Sequence, residues 1–304
     1  MSRRLDIIGA PSSAGAYAPG QERAPQALRA AGLVHSLERR GVDVRDRGDV
    51  PGLRWRLDRS NPRAMNAEAA ASVASAVAER VAESLADGAA GLVIGGDCTV
   101  ELGTVAGATV ETDEVGLVYV DLDTDLNTPQ SVDDGALDWM GVAHMLALDD
   151  TIPVLTGIGP RTPMLDPDQV LLFANDNSRP FERRVIDERS INEVRLATVA
   201  ADPAGAAQTV AEEWARQFAR LLVHVDVDVL DYVDFPIAEN TRRNHGRRFP
   251  QLVEALRMLV GAPNWAALTI CEINPEHAGD ESTLVQLGDA LADVLAGAVR
   301  GPRP

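Results

Sequence analysis

The segment VYVDLDTDLN, residues 118–127, places Asp121, Asp123 and Asp125 at alternate positions after an apolar run. Side chains two residues apart in a β-strand point to the same face, so these three carboxylates are expected to converge. Converging carboxylates repel one another, and their burial costs free energy unless a cation compensates the charge. The spacing therefore predicts a cation site.

A second segment, LLVHVDVDVLD at residues 221–231, repeats the pattern with His224, Asp226 and Asp228. A single aspartate at such a place usually ends a strand or caps a helix, but five in two alternating sets require charge compensation. Oxygen-rich clusters suit divalent cations, and two ions that share carboxylates lower the pKa of a bridging water towards neutral pH. The two segments together predict a hydrolase with two metal ions.

The elements that would position these residues alternate between short apolar runs and helical patterns. The runs typical of strands are LDIIG, VDVRDRG, GLVIGG, GLVYVD, IPVLTGIG, VLLFA, VRLATV, LLVHVD and ALTICEIN. The helical patterns cover residues 24–40, 66–86, 203–220, 249–260 and 281–298. This alternation predicts a three-layer α/β/α fold with a central, mostly parallel sheet, as a single domain over residues 1–304. In such sheets the functional residues collect outside the carboxyl ends of the strands.

The composition limits the classes of partner. The net charge is −18, from 46 acidic and 28 basic residues, which argues against nucleic acid and anionic membranes, because both attract positive surfaces. The basic run TRRNHGRR, residues 241–248, is either a solvated loop or an anion-binding segment. The two cysteines, Cys98 and Cys271, are too few for a disulfide scaffold and fit a reducing cytoplasm. No segment reaches about 18 uncharged apolar residues, so no membrane partner is expected.

Four motifs follow one another along the chain: GGDC (residues 95–98), DLDTDLNTP (121–129), DVDVLD (226–231) and EINP (272–275). In this order they resemble the ureohydrolase superfamily of arginase and agmatinase, whose patterns are GGDH, DxHxDxN, DxDxxDP and E-x-N-P. The N-terminal segment IIGAPSSAGAYAPGQERAPQALRAAGL is also similar to arginase. Each motif alone is weak, but the four in order are specific to this superfamily.

The resemblance implies an arginase-like fold and two divalent ions, Mn²⁺ in the first place, whose bridging hydroxide attacks a guanidinium or amidine carbon. Carried over by position, two overlapping sets of residues would bind the ions: Cys98, Asp121, Asp125 and Asp226 for the first, and Asp121, Asp123, Asp226 and Asp228 for the second.

The resemblance also implies roles in catalysis and substrate binding. Asp125 would orient the hydroxide, Asn127 would contact the substrate, and Glu272 would receive the cationic nitrogens of the substrate. The alternative for Glu272 is a helix-capping or surface carboxylate.

Cys98 and Asp123 stand where the superfamily has histidine ligands. A thiolate favours Zn²⁺ or Fe²⁺, whereas an added carboxylate favours Mn²⁺ or Mg²⁺. Six anionic ligands also exceed the charge of two divalent ions. Either one ligand is protonated, or one site is empty, or Cys98 is simply a small buried residue.

Other departures concern the proton shuttle and the distal end of the substrate. The segment DDGALDWMG aligns Asp138 or Trp139 with the histidine that shuttles protons in arginase, so Asp138 is either a general acid with a raised pKa or part of a surface turn. Arg161 stands where arginase has acidic contacts to the amino-acid end of its substrate. His224 is either a replacement ligand or a hydrogen-bonded core histidine. For His144 the sequence gives even less evidence of a functional role.

The sequence therefore predicts a cytoplasmic hydrolase of C–N bonds in a guanidino or amidine compound other than free arginine. The resemblance adds a homo-oligomer, a trimer or hexamer. One alternative is a weakly catalytic or non-catalytic member of the fold that binds a ligand or acts as a partner subunit. Another, with VHVDVDVL as the nucleophile strand of a dehalogenase-like phosphatase, is disfavoured because that motif normally opens its domain.

Overall fold

Eight strands form the centre of the computed structural model, which describes residues 3–300. They are β1 (Leu5–Gly9), β2 (Val44–Asp49), β3 (Ala90–Ile94), β4 (Val115–Val120), β5 (Val170–Phe173), β6 (Asn192–Val194), β7 (Arg220–Asp226) and β8 (Trp265–Cys271). Their order across one sheet is β2-β1-β3-β8-β7-β4-β5-β6, and each neighbouring pair is parallel. The predicted α/β fold with a parallel sheet is confirmed.

Helices cover both faces of this sheet. They are α1 (Ala24–Ala30), α2 (Leu33–Arg39), α3 (Ala67–Ala86), α4 (Val100–Ala108), α5 (Gly141–Met145), α6 (Pro153–Thr156), α7 (Pro180–Arg189), α8 (Leu196–Ala201), α9 (Pro203–Gln217), α10 (Phe249–Leu259) and α11 (Glu281–Arg300). One layer contains α1, α2 and α8 to α11, and the other contains α3 to α7. This gives the three layers that the sequence predicts.

The central strands are buried on both faces because helices cover both. In β4, Val118 and Val120 pack into one hydrophobic cluster, whereas Leu117 and Tyr119 pack into the cluster on the opposite face. Such strands have no solvated face along their length, so polar side chains can reach solvent only beyond the strand ends.

The sheet order explains which polar segments meet. β3, β8, β7 and β4 are consecutive neighbours in the middle of the sheet. The segments GGDC, EINP, DVDVLD and DLDTD lie at the carboxyl ends of these four strands, in the same order. Parallel strands bring their carboxyl ends to one edge, so the four motifs are adjacent in space.

Four predicted elements differ from the structure. The helical pattern at residues 24–40 forms two helices, α1 and α2, because Gly32 between them has a left-handed conformation with φ of 88°. The run IPVLTGIG at residues 152–159 is not a strand: it contains the helix α6, whose Pro153 suits a first helical turn and could not donate to a sheet ladder. In VRLATV, residues 194–199, only Val194 belongs to β6, and Leu196 and Val199, three residues apart, form the buried side of α8. The helix predicted for residues 203–220 ends at Gln217 because β7 begins shortly afterwards.

One helix, α11, is long and apolar enough, by length and composition only, to cross a membrane. Its residues Leu287, Leu291 and Leu295, spaced one turn apart, belong to the hydrophobic core on one face of the sheet. This burial is typical of a core helix in a layered α/β protein.

Candidate active site

The aspartates of the first motif follow β4 rather than belonging to it. The strand ends at Val120, and Asp121 Oδ1 accepts a hydrogen bond of 2.7 Å from the backbone N–H of Asp123. Asp125 adopts a left-handed backbone conformation with φ of 50°. The interpretation of one strand face is therefore wrong, and a side-chain-to-backbone turn produces the convergence instead.

The second motif uses the same local device. β7 ends at Asp226, whose Oδ1 accepts a hydrogen bond of 2.7 Å from the N–H of Asp228, and Val227–Val229 forms a short 3-10 turn. Asp228 thus also lies beyond the strand. Both motifs begin with an aspartate that folds the next two residues back towards the sheet edge.

The structure brings the predicted ligand residues into two overlapping groups. One ligand atom from each of Cys98, Asp121 and Asp125 lies within 4.8 Å of the others, and the same holds for Asp121, Asp123 and Asp228. Asp226 Oδ2 lies 3.5 Å from Cys98 Sγ. Asp121 belongs to both groups, as expected of a residue that would bridge two ions.

The electrostatics of these groups fit a divalent cation. Burial, followed by repulsion from Asp226 and Asp125, raises the pKa of Asp121 well above its ordinary value. Burial and the nearby Asp123 raise the pKa of Asp228 to about 7, although Arg242 opposes this rise. Asp121 Oδ2 and Asp228 Oδ1 are buried and have no hydrogen-bond partner within residues 3–300. Buried oxygens in this condition are the ones that a bound cation would satisfy.

Arg242 is a site residue that the sequence analysis left undecided. Its Nη2 donates to Asp123 Oδ2 at 3.2 Å, and Asn177 Nδ2 also donates to Asp123. Part of the basic run 241–248 therefore faces the carboxylates and is not a wholly solvated loop. An aspartate in place of a histidine adds one negative charge, and Arg242 adds one positive charge beside it.

Glu272 lies directly after β8, and it is 6% exposed. Its Oε1 accepts from the N–H of Cys98 and its Oε2 from Nε2 of Gln21, both at 3.0 Å. Burial, with a contribution from Asp138, raises the pKa of Glu272. The alternative of a surface or helix-capping carboxylate is wrong, since Glu272 is buried and held from two sides.

A crevice of about 430 Å³ opens above the carboxylates. The predicted residues that line it are Asp123, Asp125, Asn127, Asp138, Asp226, Asp228 and Glu272. Cys98 and Asp121 are buried, each 1% exposed. The crevice therefore gives a small molecule direct access to the carboxylate cluster and to Glu272.

Two predicted polar residues occupy the crevice wall. Asp138 Oδ1 accepts from the N–H of Trp139 at 2.9 Å, and burial together with Asp97 raises the pKa of Asp138 well above its ordinary value. A raised pKa is the condition that the sequence analysis set for a general acid. Asn127 Oδ1 accepts from Ser131 Oγ at 3.0 Å, which fixes the orientation of its amide.

Arg179, like Arg242, lines the crevice, whereas Arg161 does not. Arg161 donates to the carbonyl of Met164 at 3.1 Å and to Gln169 Oε1 at 2.7 Å, outside the crevice lining, so the earlier interpretation of Arg161 is wrong. Arg179 lines the crevice with its guanidinium 4.3 Å above the ring of Trp139. The sequence feature that could have indicated Arg179 is its position in the polar connection that follows β5.

The two conspicuous histidines differ in their surroundings. His144 is a core histidine: its Nδ1 lies 2.7 Å from the carbonyl of Met140, its Nε2 accepts from the N–H of Ile152 at 3.1 Å, and burial lowers its pKa to about 4. His224 is completely buried, and its Nε2 lies 3.5 Å from Cys98 Sγ.

The chain is similar to known proteins along most of its length. The model of the family described as "Arginase family" matches residues 3–296. Arginase from Bacillus caldovelox is 29% identical over 276 residues, covering 89% of this chain and 91% of that protein. Arginase-1 from Homo sapiens is 28% identical over 279 residues, covering 90% and 86%. The solved structure of the Bacillus caldovelox arginase superposes with a TM-score of 0.87 at 25% identity, covering 100% of each chain.

Proposed function

Because this chain belongs to the arginase family, we propose that it is a metal-dependent hydrolase of a C–N bond in a guanidino or amidine compound. The observation that carries this proposal is the pair of buried carboxylate groups that share Asp121 beneath the crevice. If no cation were bound, the burial of these converging charges would cost free energy without a compensating interaction.

The metal ligands that we propose are the two sets that the sequence indicates: Cys98, Asp121, Asp125 and Asp226, and Asp121, Asp123, Asp226 and Asp228. Hard carboxylate oxygens support Mn²⁺, and the thiol of Cys98 leaves room for Zn²⁺ or Fe²⁺ at the first set. Two divalent ions that share carboxylates supply a nucleophilic oxygen near neutral pH.

Glu272 is the residue that we assign to the guanidinium or amidinium group of the substrate. Its two oxygens are oriented by the N–H of Cys98 and by Gln21, and its carboxylate borders the crevice. A cationic substrate would gain charge-assisted hydrogen bonds there and would stabilise the ionised form of Glu272.

Two aspartates would have separate roles: Asp138 would donate a proton, and Asp125 would orient the attacking oxygen. Asp138, whose pKa is raised by burial, is the residue that we assign to donating a proton to the departing amine. Asp125 accepts a hydrogen bond from the buried hydroxyl of Tyr119, which fixes the direction of its carboxylate. Asn127 would contact the part of the substrate nearer the crevice mouth.

The distal end of the substrate would meet Arg179. Its guanidinium stacks over Trp139 at the crevice, and Asn177 lines the same wall. The α-ammonium group of free arginine would approach this cation unfavourably, whereas a carboxylate alone would pair with it. We therefore propose a guanidino acid without an α-amino group as the preferred class of substrate, in place of free arginine.

Release of urea from guanidino compounds and of formamide from formimino compounds tests this function. The manganese-loaded protein is assayed with guanidinobutyrate, agmatine, formimino compounds and arginine. We expect kcat/KM for the guanidino acid to exceed that for arginine by about tenfold, and Arg179→Gln to remove most of this preference. Arg161→Gln is the matched control, since it removes the same charge outside the crevice and should leave the preference intact. Faster hydrolysis of arginine than of every guanidino acid would overturn the substrate class.

A second candidate is a non-catalytic or weakly catalytic member that binds a ligand or a partner subunit. The observation in its favour is that Asp123 is already paired with Arg242 and Asn177. Metal-loaded protein that binds guanidino acids in calorimetry but releases no product from the whole panel would support this candidate.

We also propose a cytoplasmic homo-oligomer, a trimer or hexamer. Family membership supports the assembly, and two free cysteines, Cys98 and Cys271, support a reducing compartment. Sedimentation velocity of the purified protein tests the assembly, and a monomer at micromolar concentration would contradict it.

A further inference from the structure

Three soft ligand residues meet directly beneath the carboxylates. Cys98 follows β3, Cys271 ends β8, and His224 lies on β7, so adjacent strands carry them to one place. Each is at most 1% exposed, and one ligand atom of each lies within 4.8 Å of the other two. Only Cys98 belongs to the set that the family resemblance implies.

The distances around Cys98 Sγ fit a tetrahedral ion. Sγ lies 3.5 Å from His224 Nε2 and 3.5 Å from Asp226 Oδ2. With Zn–S bonds of about 2.3 Å and Zn–N or Zn–O bonds of about 2.0 to 2.1 Å, neighbouring ligand atoms of a tetrahedron lie about 3.5 Å apart. The spacing of Cys98 Sγ from His224 Nε2 is therefore already that of two neighbouring ligands of a zinc ion.

His224 is supported in the way that metal-binding histidines usually are. Its second ring nitrogen, Nδ1, lies 3.4 Å from Oε2 of Glu101, a completely buried carboxylate. A carboxylate behind the imidazole fixes the tautomer and turns the other nitrogen towards the metal. The ring of His224 also stacks on Tyr119, with centroids 4.0 Å apart and planes 9° apart, so its orientation is fixed.

The surroundings of Cys98, Cys271 and His224 differ from those of an ordinary hydrophobic core. Cys98 and Cys271 belong to a hydrophobic cluster with Ile8, Val93 and Val100. Within the described part of the chain, Oε1 of the buried Glu101 has no hydrogen-bond partner. A buried carboxylate and imidazole in apolar surroundings are costly by themselves, but a cation on the far side of the imidazole would stabilise both.

We propose that Cys98, Cys271 and His224 bind one soft divalent ion, Zn²⁺ in the first place, instead of the ion assigned above to Cys98, Asp121, Asp125 and Asp226, with Glu101 positioning His224. Thiolate and imidazole ligands select zinc, whereas the carboxylates of Asp121, Asp123 and Asp228 remain for a hard ion. The protein would thus bind two chemically different ions, a soft ion at Cys98, Cys271 and His224 and a hard ion at the carboxylates. This inference goes beyond the proposed function, because it concerns the ligands of an ion and holds whether or not the protein hydrolyses a substrate.

X-ray absorption at the zinc edge tests the proposal on the unmodified protein. The full chain is purified without chelator and loaded with one equivalent of Zn²⁺. We expect a first shell with two sulfur atoms at about 2.3 Å and two lighter atoms at about 2.0 Å. One sulfur atom or none would overturn the proposal, as would a Cys98–Cys271 disulfide in the non-reduced protein.

Cobalt substitution provides the test by variants. Co²⁺ bound by thiolates gives a charge-transfer absorption in the near ultraviolet, and we expect Cys271→Ser to remove about half of this absorption and to weaken Co²⁺ binding at least about tenfold. The matched control is Asp123→Asn, in the carboxylate group that excludes Cys271, which should leave the absorption unchanged. Glu101→Gln should weaken Zn²⁺ affinity about 10- to 100-fold without removing sulfur ligation.

Circular dichroism melting of each variant shows whether it folds, and the X-ray absorption result decides the matter if Cys271→Ser does not. An absorption that is unchanged in folded Cys271→Ser would overturn the proposal. Lack of turnover bears only on the proposed hydrolysis, and lack of a second sulfur ligand bears only on this site, so the two failures are distinguishable.

Discussion

At the scale of single residues, two of the predicted ligand aspartates have specific side-chain partners. Asp123 is held by Arg242 and Asn177, and Asp125 is held by Tyr119. Asp121 differs, because its Oδ1 accepts from a backbone N–H while its buried Oδ2 lacks a hydrogen-bond partner among the residues described. Asp121 should therefore depend most strongly on a cation.

Asp121→Asn should abolish uptake of the ions that the carboxylates bind. The reason is that Asp121 contributes to both ligand groups, and an amide both lowers the charge and brings a donor into the cluster. Asp123→Asn should remove one ion at most. Metal content after dialysis against Mn²⁺ measures this, with Asp134→Asn, an exposed aspartate at the crevice, as the control. Full metal content in Asp121→Asn would contradict the shared role.

Arg242→Gln should strengthen Mn²⁺ binding at the group that contains Asp123. Arg242 competes with the ion for Asp123 Oδ2 and repels it, so its neutralisation should increase affinity by about tenfold. Arg243→Gln is the matched control, because Arg243 is the exposed next residue and lies over the ring of Tyr232. Calorimetric titration measures both variants, and weaker binding in Arg242→Gln would show that Arg242 supports the ion instead.

At the scale of elements, the order of strands decides which side chains meet. The alternation of apolar runs and helical patterns was sufficient to predict the α/β fold. The order of the motifs was sufficient to predict that the carboxylates lie close together. Asx turns after Asp121 and Asp226, rather than strand pleating, bring the carboxylates together. Arg242 reaches Asp123 across 119 residues of sequence, a contact that no local pattern encodes. Cys271 meets Cys98 because β8 pairs with β3, and that pairing could not be predicted from the sequence.

The stability of the protein should depend on pH through the contact between α5 and α6. His144 bridges this contact by hydrogen bonds to Met140 and Ile152. Burial lowers the pKa of His144 to about 4, below its unfolded value of 6.5. Between these values the unfolded chain binds more protons, so stability is complete above about pH 6.5 and falls as the pH decreases towards 4. The loss should reach about 3 kcal/mol of unfolding free energy.

His144→Gln should therefore flatten the dependence of stability on pH between about 6.5 and 4, although the variant is less stable at pH 7 because it loses buried hydrogen bonds. Urea unfolding at several pH values measures the slope. His35→Gln, which changes an exposed histidine on α2, is the control and should leave the slope unchanged. An unaltered slope in His144→Gln would assign the acid sensitivity to other groups.

At the scale of the whole molecule, the centre of the sheet edge concentrates negative charge that the fold itself only partly offsets. The net charge is −18, and the carboxylates of Asp121, Asp125 and Asp226 are all buried with raised pKa values. Stability of the native state should then depend on bound cations, since an ion that binds the folded chain and not the unfolded chain stabilises it by mass action.

Addition of Mn²⁺ at a hundredfold excess over Kd should raise the free energy of unfolding by about 2.7 kcal/mol for one site, and a chelator should reverse the change. The effect extends to the whole domain because β3, β4, β7 and β8, which carry the ligands, form the middle of the sheet. Thermal melting with and without Mn²⁺ measures it. Asp121→Asn is the control that separates binding at the carboxylates from general effects of the salt, because its melting temperature should not respond to the ion. A wild-type melting temperature that is unchanged by Mn²⁺, Zn²⁺ and Fe²⁺ would mean that the fold tolerates its buried carboxylates as protonated acids, and the non-catalytic candidate would then be the better account of this chain.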